Sequence, residues 1–197
     1  MALIVLAGIF AGEVFADTKG PEVPASQSTR MILYRGRDLQ LRYPETWSAA
    51  ENGDFIYIAP ADGFLDGSLV YGIMIGTFDP QSGGDTYAWT PFSPPAARDY
   101  KLTLSDATNQ VVAQYRTWNQ NIGMVVDRGK TSIDGIEATA VDMTNESPTG
   151  VMQTNWLVTV VRPNGLVTYF VGIAPQFDFS DFRPAFDEIL ASVRFID

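Results

Sequence analysis

The side chains that could do chemistry in this 197-residue chain are carboxylates, arginines, hydroxyls and tyrosines, because the sequence contains no histidine and no cysteine. Ser-His-Asp and Cys-His catalysis both need an imidazole whose pKa lies near neutrality. Zinc sites draw mainly on His and Cys ligands. The sequence also lacks a phosphate-binding glycine loop with its lysine and a G-x-S-x-G nucleophile elbow. The usual designs of hydrolases and zinc enzymes are therefore excluded, and no disulfide framework can form.

Two acidic pairs are candidates for metal binding or acid–base work. Asp62 and Asp66 lie in a glycine-containing loop and could offer oxygen ligands to calcium, but the alternating acidic pattern of an EF-hand is missing, so turn formation is favoured. Glu137 and Asp142 fall on a predicted strand at odd spacing. They should face opposite sides of a sheet, which argues against a paired carboxylate site.

Two further groups of charges have a structural interpretation. Asp178 and Asp181 precede the last predicted helix, where the helix dipole stabilises acids. Arg35, Arg37 and Arg42 could bind a carboxylate or a phosphate. Protection of a strand edge by charge is the simpler reason for these arginines, and we favour it.

The best interaction candidate is the long irregular segment 79–97, which carries the aromatic residues Tyr87, Trp89 and Phe92 among several prolines. Aromatic side chains supply large contact areas in recognition hot spots. We predict Tyr87, Trp89 and Phe92 as partner-binding residues. The alternative, that they fold over the sheet as a lid on the core, has equal weight. No catalytic, metal or cofactor residue is predicted.

The first elements along the chain that position these residues are predicted to be strands. Apolar runs broken by turn residues predict strands at 31–34, 39–43, 55–59 and 69–78. Alternating runs around Asp134-Gly135 and Pro163-Asn164-Gly165 predict two hairpins, and Asn-Gly suits a type I′ turn. These hairpins join strands at 131–133, 136–144, 153–161 and 166–174.

Two helices are predicted. Apolar residues from Leu104 to Trp118 fall near a 3.6-residue period, with Ser105 or Asp106 as the cap. A second helix begins near Ser180 with Pro184 in its first turn, and it presents one apolar face made of Phe182, Phe186, Ile189, Leu190 and Val193. Antiparallel strands with segregated helices predict an α+β fold, an antiparallel β-sheet flanked by helices.

The N-terminus and the charge indicate a compartment. Residues 2–12 form a short apolar run that suits a signal peptide ending at Ala16, although the usual positive n-region is missing. Residues 17–30 then read as a flexible linker, and 31–197 as a single α+β domain. The net charge of −10 argues against nucleic-acid partners. We expect a periplasmic or extracellular protein with no stable membrane insertion after signal removal.

Several segments together resemble a known family. They are 41–47 (LRYPETW), 57–60 (YIAP), 71–78 (YGIMIGTF), 133–135 (IDG), 145–150 (NESPTG), 169–175 (YFVGIAP) and 189–195 (ILASVRF), with Phe186. Their order is similar to the non-catalytic C-terminal module of bacterial M48 (Ste24-like) metalloproteases, which has a Mog1/PsbP-like fold. The zinc motif of the protease cannot occur here. The resemblance therefore implies an accessory module over residues 38–197.

The function expected from the sequence is a secreted or periplasmic non-catalytic accessory or binding module, with no cofactor and with a protein partner in the cell envelope. Two alternatives stay open. One is an enzyme of unknown substrate that depends on carboxylates or tyrosine in a pocket on the sheet face. The other is a docking subunit of an envelope complex.

Overall fold

The computed structural model describes residues 30–65, 67–80, 102–119, 121–147 and 150–196. The predicted signal peptide, residues 17–29 of the linker, and Tyr87, Trp89 and Phe92 lie outside these ranges. The strands are β1 (Met31–Arg35), β2 (Leu39–Pro44), β3 (Trp47–Asn52), β4 (Phe55–Pro60), β5 (Phe64–Leu65), β6 (Ser68–Leu69), β7 (Gly72–Phe78), β8 (Val125–Ile133), β9 (Ile136–Glu146), β10 (Met152–Val161), β11 (Val167–Pro175) and β12 (Arg194–Phe195). The helices are α1 (Leu104–Trp118) and α2 (Phe179–Ala191).

One seven-stranded antiparallel sheet organises the molecule, in the order β3-β4-β7-β11-β10-β9-β8. A smaller sheet, β1-β2-β12, and the short β5–β6 hairpin accompany it. Helix α1 packs on β9 and β10, whereas α2 packs on β2 and β11. The predicted α+β class is confirmed. Strand β3 and the β5–β6 hairpin were not predicted, because Pro44 ends the strand pattern just before Trp47 and the hairpin strands are two residues each.

Two apolar clusters fill the space on the two faces of the large sheet. On one face, α2 buries Phe182, Phe186, Ile189 and Leu190 with Val193 just beyond it, as predicted. On the other face, α1 packs against β9, β10 and β11 through the buried residues Ala107, Val111, Val112, Tyr115, Met143, Leu157 and Val171. Burial of side chains of this size is the main source of folding free energy.

The helix starts differ from the sequence prediction. Helix α1 is capped by Thr103 rather than by Ser105 or Asp106: the Thr103 hydroxyl accepts from the Asp106 N–H, and Asp106 accepts from the Thr103 N–H. This reciprocal arrangement is a capping box. The N-cap of α2 is Asp178, not Ser180, and its side chain makes no capping bond. Pro184 consequently lies beyond the first turn of α2.

The two hairpin turns also differ from each other. At Asp134-Gly135 the predicted hairpin is confirmed, and both residues have positive φ, 50° and 76°, which is type I′ geometry. At Pro163-Asn164-Gly165 only Gly165 has positive φ, 88°, and its N–H donates to the Arg162 carbonyl. The type I′ prediction is therefore wrong here. Pro163 fixes a negative φ at the start of a longer turn, and Gly165 takes the left-handed position that follows it.

Candidate functional site

The structure separates Glu137 from Asp142 and gives each acid a basic partner. Glu137 bonds Lys130 and Asp142 bonds Arg128, and the two acids lie on opposite faces of β9, as predicted. Asp66 lies outside the described residues. Among the residues that the structure describes, no three carboxylates come together to hold a metal ion.

Asp178 and Tyr71 form a polar contact at the start of α2, through a side-chain hydrogen bond. Burial, and then the nearby Asp181 charge, raise the pKa of Asp178, while the bond from Tyr71 opposes that shift. Burial and the charge of Asp178 raise the pKa of Tyr71 in turn. The contact links α2 to the β6–β7 connection, and both side chains are partly exposed.

A cleft of about 450 Å³ opens on the α1 side of the large sheet. It lies between the C-terminal end of α1, strands β3 and β4, and the β5–β6 hairpin. This volume falls within the range of small-molecule sites, about 300–1,000 Å³. Sequence reasoning did not find this cleft, because its walls come from elements that are far apart along the chain.

The walls of the cleft are aromatic. Successive ring contacts join Phe64 to Tyr57 (centroids 5.8 Å apart), Tyr57 to Phe55 (6.1 Å), Phe55 to Trp118 (5.7 Å) and Trp118 to Tyr115 (6.4 Å). We call these five rings the aromatic arc. All except Phe55 line the cleft. The two rings at its mouth are well exposed, Phe64 at 44% and Trp118 at 42%. Exposed aromatic rings at a concave surface are typical of recognition sites.

The floor of the cleft is polar, and its side chains form one directed chain of hydrogen bonds. The Tyr115 hydroxyl donates to Asn155 Oδ1 at 2.9 Å, and Asn155 Nδ2 donates to Asn145 Oδ1. Asn145 Nδ2 then donates to Gln153 Oε1 at 3.5 Å, and Gln153 Nε2 donates to the Val70 carbonyl at 3.3 Å. We call this series the amide chain. It ties α1, β9, β10 and the loop after β6 to one another.

Strand alternation explains why these amides meet. Gln153 and Asn155 are two residues apart on β10, so both face α1 together with Leu157. Asn145 pairs directly with Gln153 across the β9–β10 register. All three amides are buried, with 0–4% exposure. The predicted strand 136–144 stopped one residue short of Asn145, whereas β9 runs to Glu146. The sequence signal that could have indicated this site is that Gln153 and Asn155 are polar residues at inward-facing positions of an otherwise apolar strand.

The electrostatic character of the cleft is neutral. Burial, and then the neighbouring Tyr169 and Tyr57, raise the pKa of Tyr115 well above that of a free phenol, so Tyr115 stays protonated. The remaining polar side chains around the cleft are uncharged amides and hydroxyls: Asn52, Tyr57, Ser68, Asn119, Asn145 and Gln153. No carboxylate and no basic side chain is among the described residues that line it.

A second, smaller cavity of about 160 Å³ has a mixed charge. Its lining includes Tyr34, Arg37, Asp38, Glu51 and Asp54. Tyr34 donates to Glu51 Oε1 at 2.5 Å, and burial together with this bond raises the pKa of the tyrosine. Three acidic side chains and only one basic side chain meet within this small volume, so the cavity is acidic on balance.

No protein-family model and no curated protein sequence matches the chain. Solved structures that are similar to it include the following three. PsbP (CyanoP) of Synechocystis sp. PCC 6803 matches with a TM-score of 0.55 and 11% identity over 86% of this chain and 94% of that one. LpqN of Mycobacterium tuberculosis, described as involved in cell envelope biogenesis, matches with a TM-score of 0.49 and 12% identity over 85% and 91%. PA94 of Pseudomonas aeruginosa, a protein of unknown function and putative regulator, matches with a TM-score of 0.41 and 18% identity over 82% and 94%.

The PsbP likeness establishes the fold, so the Mog1/PsbP-like architecture expected from the sequence is confirmed. At 11% identity the likeness carries no function. The metalloprotease-module part of the resemblance stays a prediction. No helix in the described ranges is long and apolar enough to cross a membrane.

Proposed function

We propose that this protein is a non-catalytic binding module that holds a small organic ligand in the cleft between α1 and the β5–β6 hairpin. The observation that carries the proposal is the pairing of the aromatic arc with the amide chain in one concave site. Apolar rings around a few fixed polar groups are the usual composition of a ligand pocket. The amide chain also fixes the orientations of the polar groups before a ligand arrives, which lowers the entropic cost of binding.

The cleft offers little for catalysis. A general base works best when its pKa lies near the operating pH, and Tyr115, at the floor, has a raised pKa. The described lining holds no carboxylate or basic side chain that could replace it. These features support a binding role over the alternative of an enzyme that depends on carboxylates or tyrosine.

A fragment screen tests the proposal. We expect some small aromatic or hydrogen-bonding compounds to change the backbone NMR shifts of the β5–β6 hairpin and of the end of α1. Trp118→Ala should abolish these changes, since Trp118 supplies a wall of the cleft. Phe177→Ala is the matched control, because Phe177 is 74% exposed and does not line the cleft. A screen whose hits map elsewhere, or bind equally well to the Trp118 variant, would refute the binding site.

We further propose that the module acts outside the cytoplasm as an accessory protein with a partner in the cell envelope. The support is the apolar run at residues 2–12 followed by Val14-Phe15-Ala16, which matches a signal peptide. Tyr87, Trp89 and Phe92 stay the predicted contacts for that partner. Intact-mass measurement of the protein recovered from its native host should show a chain that begins near Asp17. A cytoplasmic product that retains residues 2–12 would contradict the location.

A further inference from the structure

The direction of the hydrogen bonds in the amide chain decides what the cleft can offer a ligand. The hydrogen of the Tyr115 hydroxyl is committed to Asn155 Oδ1. Tyr115 lines the cleft, and its oxygen has only lone pairs left for a ligand that reaches it. A ligand that approaches this oxygen must bring its own hydrogen.

The two amides beside Tyr115 repeat this polarity. Asn145 Nδ2 spends its hydrogens on the Glu146 carbonyl at 3.1 Å and on Gln153 Oε1 at 3.5 Å. Gln153 Nε2 spends one of its two on the Val70 carbonyl. Each amide oxygen accepts one bond within the chain and keeps a second lone pair. The floor thus presents three acceptors, Tyr115 Oη, Asn145 Oδ1 and Gln153 Oε1, and one remaining donor hydrogen on Gln153, whereas the donor groups of Asn52, Tyr57, Ser68 and Asn119 belong to other parts of the lining.

The walls favour the same kind of ligand. The faces of aromatic rings carry negative charge density and attract cations, with Trp the most effective. Trp118, Tyr57 and Phe64 all line the cleft. The chain as a whole has a net charge of −10, and a field of that sign raises the local concentration of cations. An anion in the cleft would face the acceptor oxygens and the ring faces, and none of the described lining residues is basic.

We propose that the cleft binds a small organic cation that carries a primary ammonium group. Such a group has three N–H donors and no acceptor, which matches the three acceptors of the floor. Its alkyl chain would lie against the aromatic arc. This inference rests on the proposed binding function and names its ligand class.

A matched set of probes tests the ligand class: n-butylammonium, n-butanol and butyrate, which share one alkyl chain, and tetramethylammonium, which keeps the charge but has no N–H donor. NMR titration of the full chain gives each dissociation constant. We expect n-butylammonium to bind at least about tenfold more tightly than n-butanol, the factor that a desolvated cation–π contact supplies. Tetramethylammonium should bind more weakly than n-butylammonium, and butyrate should leave the cleft resonances unchanged.

Variants separate the contribution of the aromatic ring faces from that of the acceptor oxygens. Trp118→Leu should weaken n-butylammonium and tetramethylammonium alike, because it removes a ring face. Gln153→Leu should weaken n-butylammonium while sparing tetramethylammonium, which has no hydrogen to donate. Phe177→Ala should change neither constant. Thermal melts of each variant exclude loss of the fold as the cause of a weaker titration.

Three outcomes distinguish the two levels of the proposal. Preference for n-butylammonium with the expected variant effects supports the cation. Equal or tighter binding of n-butanol or butyrate at the cleft overturns the cation while leaving the binding function in place. Failure of all four probes, together with an empty fragment screen, overturns both.

Discussion

Replacement of Asn155 by leucine should destabilise the protein, because it removes two hydrogen bonds of the amide chain at once. Asn155 is fully buried, and it accepts from Tyr115 and donates to Asn145. Leucine fills a similar volume but can do neither. The Tyr115 hydroxyl and the Asn145 carbonyl would each lose a partner inside the protein, and a buried unpaired polar group costs about 1–3 kcal/mol.

The two losses together give a cost of about 2–6 kcal/mol in the free energy of unfolding. Tyr115 and Asn145 line the cleft, so water can replace part of what they lose. We therefore expect the lower half of the range, about 2–4 kcal/mol. Urea denaturation followed by circular dichroism measures this value from the shift of the midpoint at constant m.

Thr159→Val is a matched control on the same strand. Thr159 is fully buried, and its hydroxyl has no hydrogen-bond partner among the described residues. Removal of an unpaired buried hydroxyl should leave the stability unchanged or raise it. Tyr115→Phe completes a double-mutant cycle: it should cost less in the Asn155→Leu background, where its hydroxyl already lacks a partner. The reasoning fails if Asn155→Leu costs under about 0.5 kcal/mol, or no more than Thr159→Val.

Three more predictions follow from other parts of the structure. Gly172→Ala would place a methyl group 2.7 Å from the Phe186 ring, so it should cost about 1–3 kcal/mol of stability, measured by thermal melting. Adding Phe186→Leu should recover part of that loss. A Gly172→Ala variant as stable as the parent would contradict the packing. Asp134→Ala should cost about 1–3 kcal/mol of stability and speed hydrogen exchange at the Phe195 amide, because Asp134 accepts from that N–H at 2.9 Å and holds a φ of 50°. Asp134→Asn should retain most of the stability. Unchanged exchange in the alanine variant would argue against the contact. The stability that comes from the raised pKa values of Tyr34, Tyr71 and Tyr115 should be complete below about pH 10 and should fall as the pH rises above it. The reason is that the folded state keeps phenol protons that the unfolded chain releases. A free energy of unfolding that stays constant between about pH 9 and 11 would count against these raised pKa values.

The fold was predictable where the sequence pattern is local. The 3.6-residue period identified both helices, and the face of α2 made of Phe182, Phe186 and Ile189 is buried as expected. Asp134-Gly135 specified its turn because it needs positive φ at two successive residues. The N-cap of α1 was harder to predict, because Thr103, Ser105 and Asp106 are all good capping residues and only the backbone conformation decides among them.

The cleft was not predictable from local patterns, because its residues meet only through long-range pairing. Trp118 reads as one more apolar position on α1, yet it is 42% exposed at the cleft mouth. Gln153 and Asn155 read as ordinary strand residues until the register places Asn145 beside them. Only the antiparallel register, which the strand sequences do not fix on their own, turns three separate amides into one hydrogen-bonded chain.

The pairing of β7 with β11 gives the molecule a natural place for division. Strands β3, β4 and β7 precede α1 in the chain, and β8 to β11 follow it, so a single seam joins the two halves of the large sheet. A cut between β7 and α1 would leave two fragments with contiguous antiparallel strands, whose sheet edges β7 and β11 fit each other and whose second contact joins β2 to α2 and β12. The seam extends from Val167 opposite Phe78 to Ile173 opposite Gly72, in the most deeply buried strand. This architecture suits a split reporter, in which fusion partners that meet would restore the sheet and, with it, the cleft.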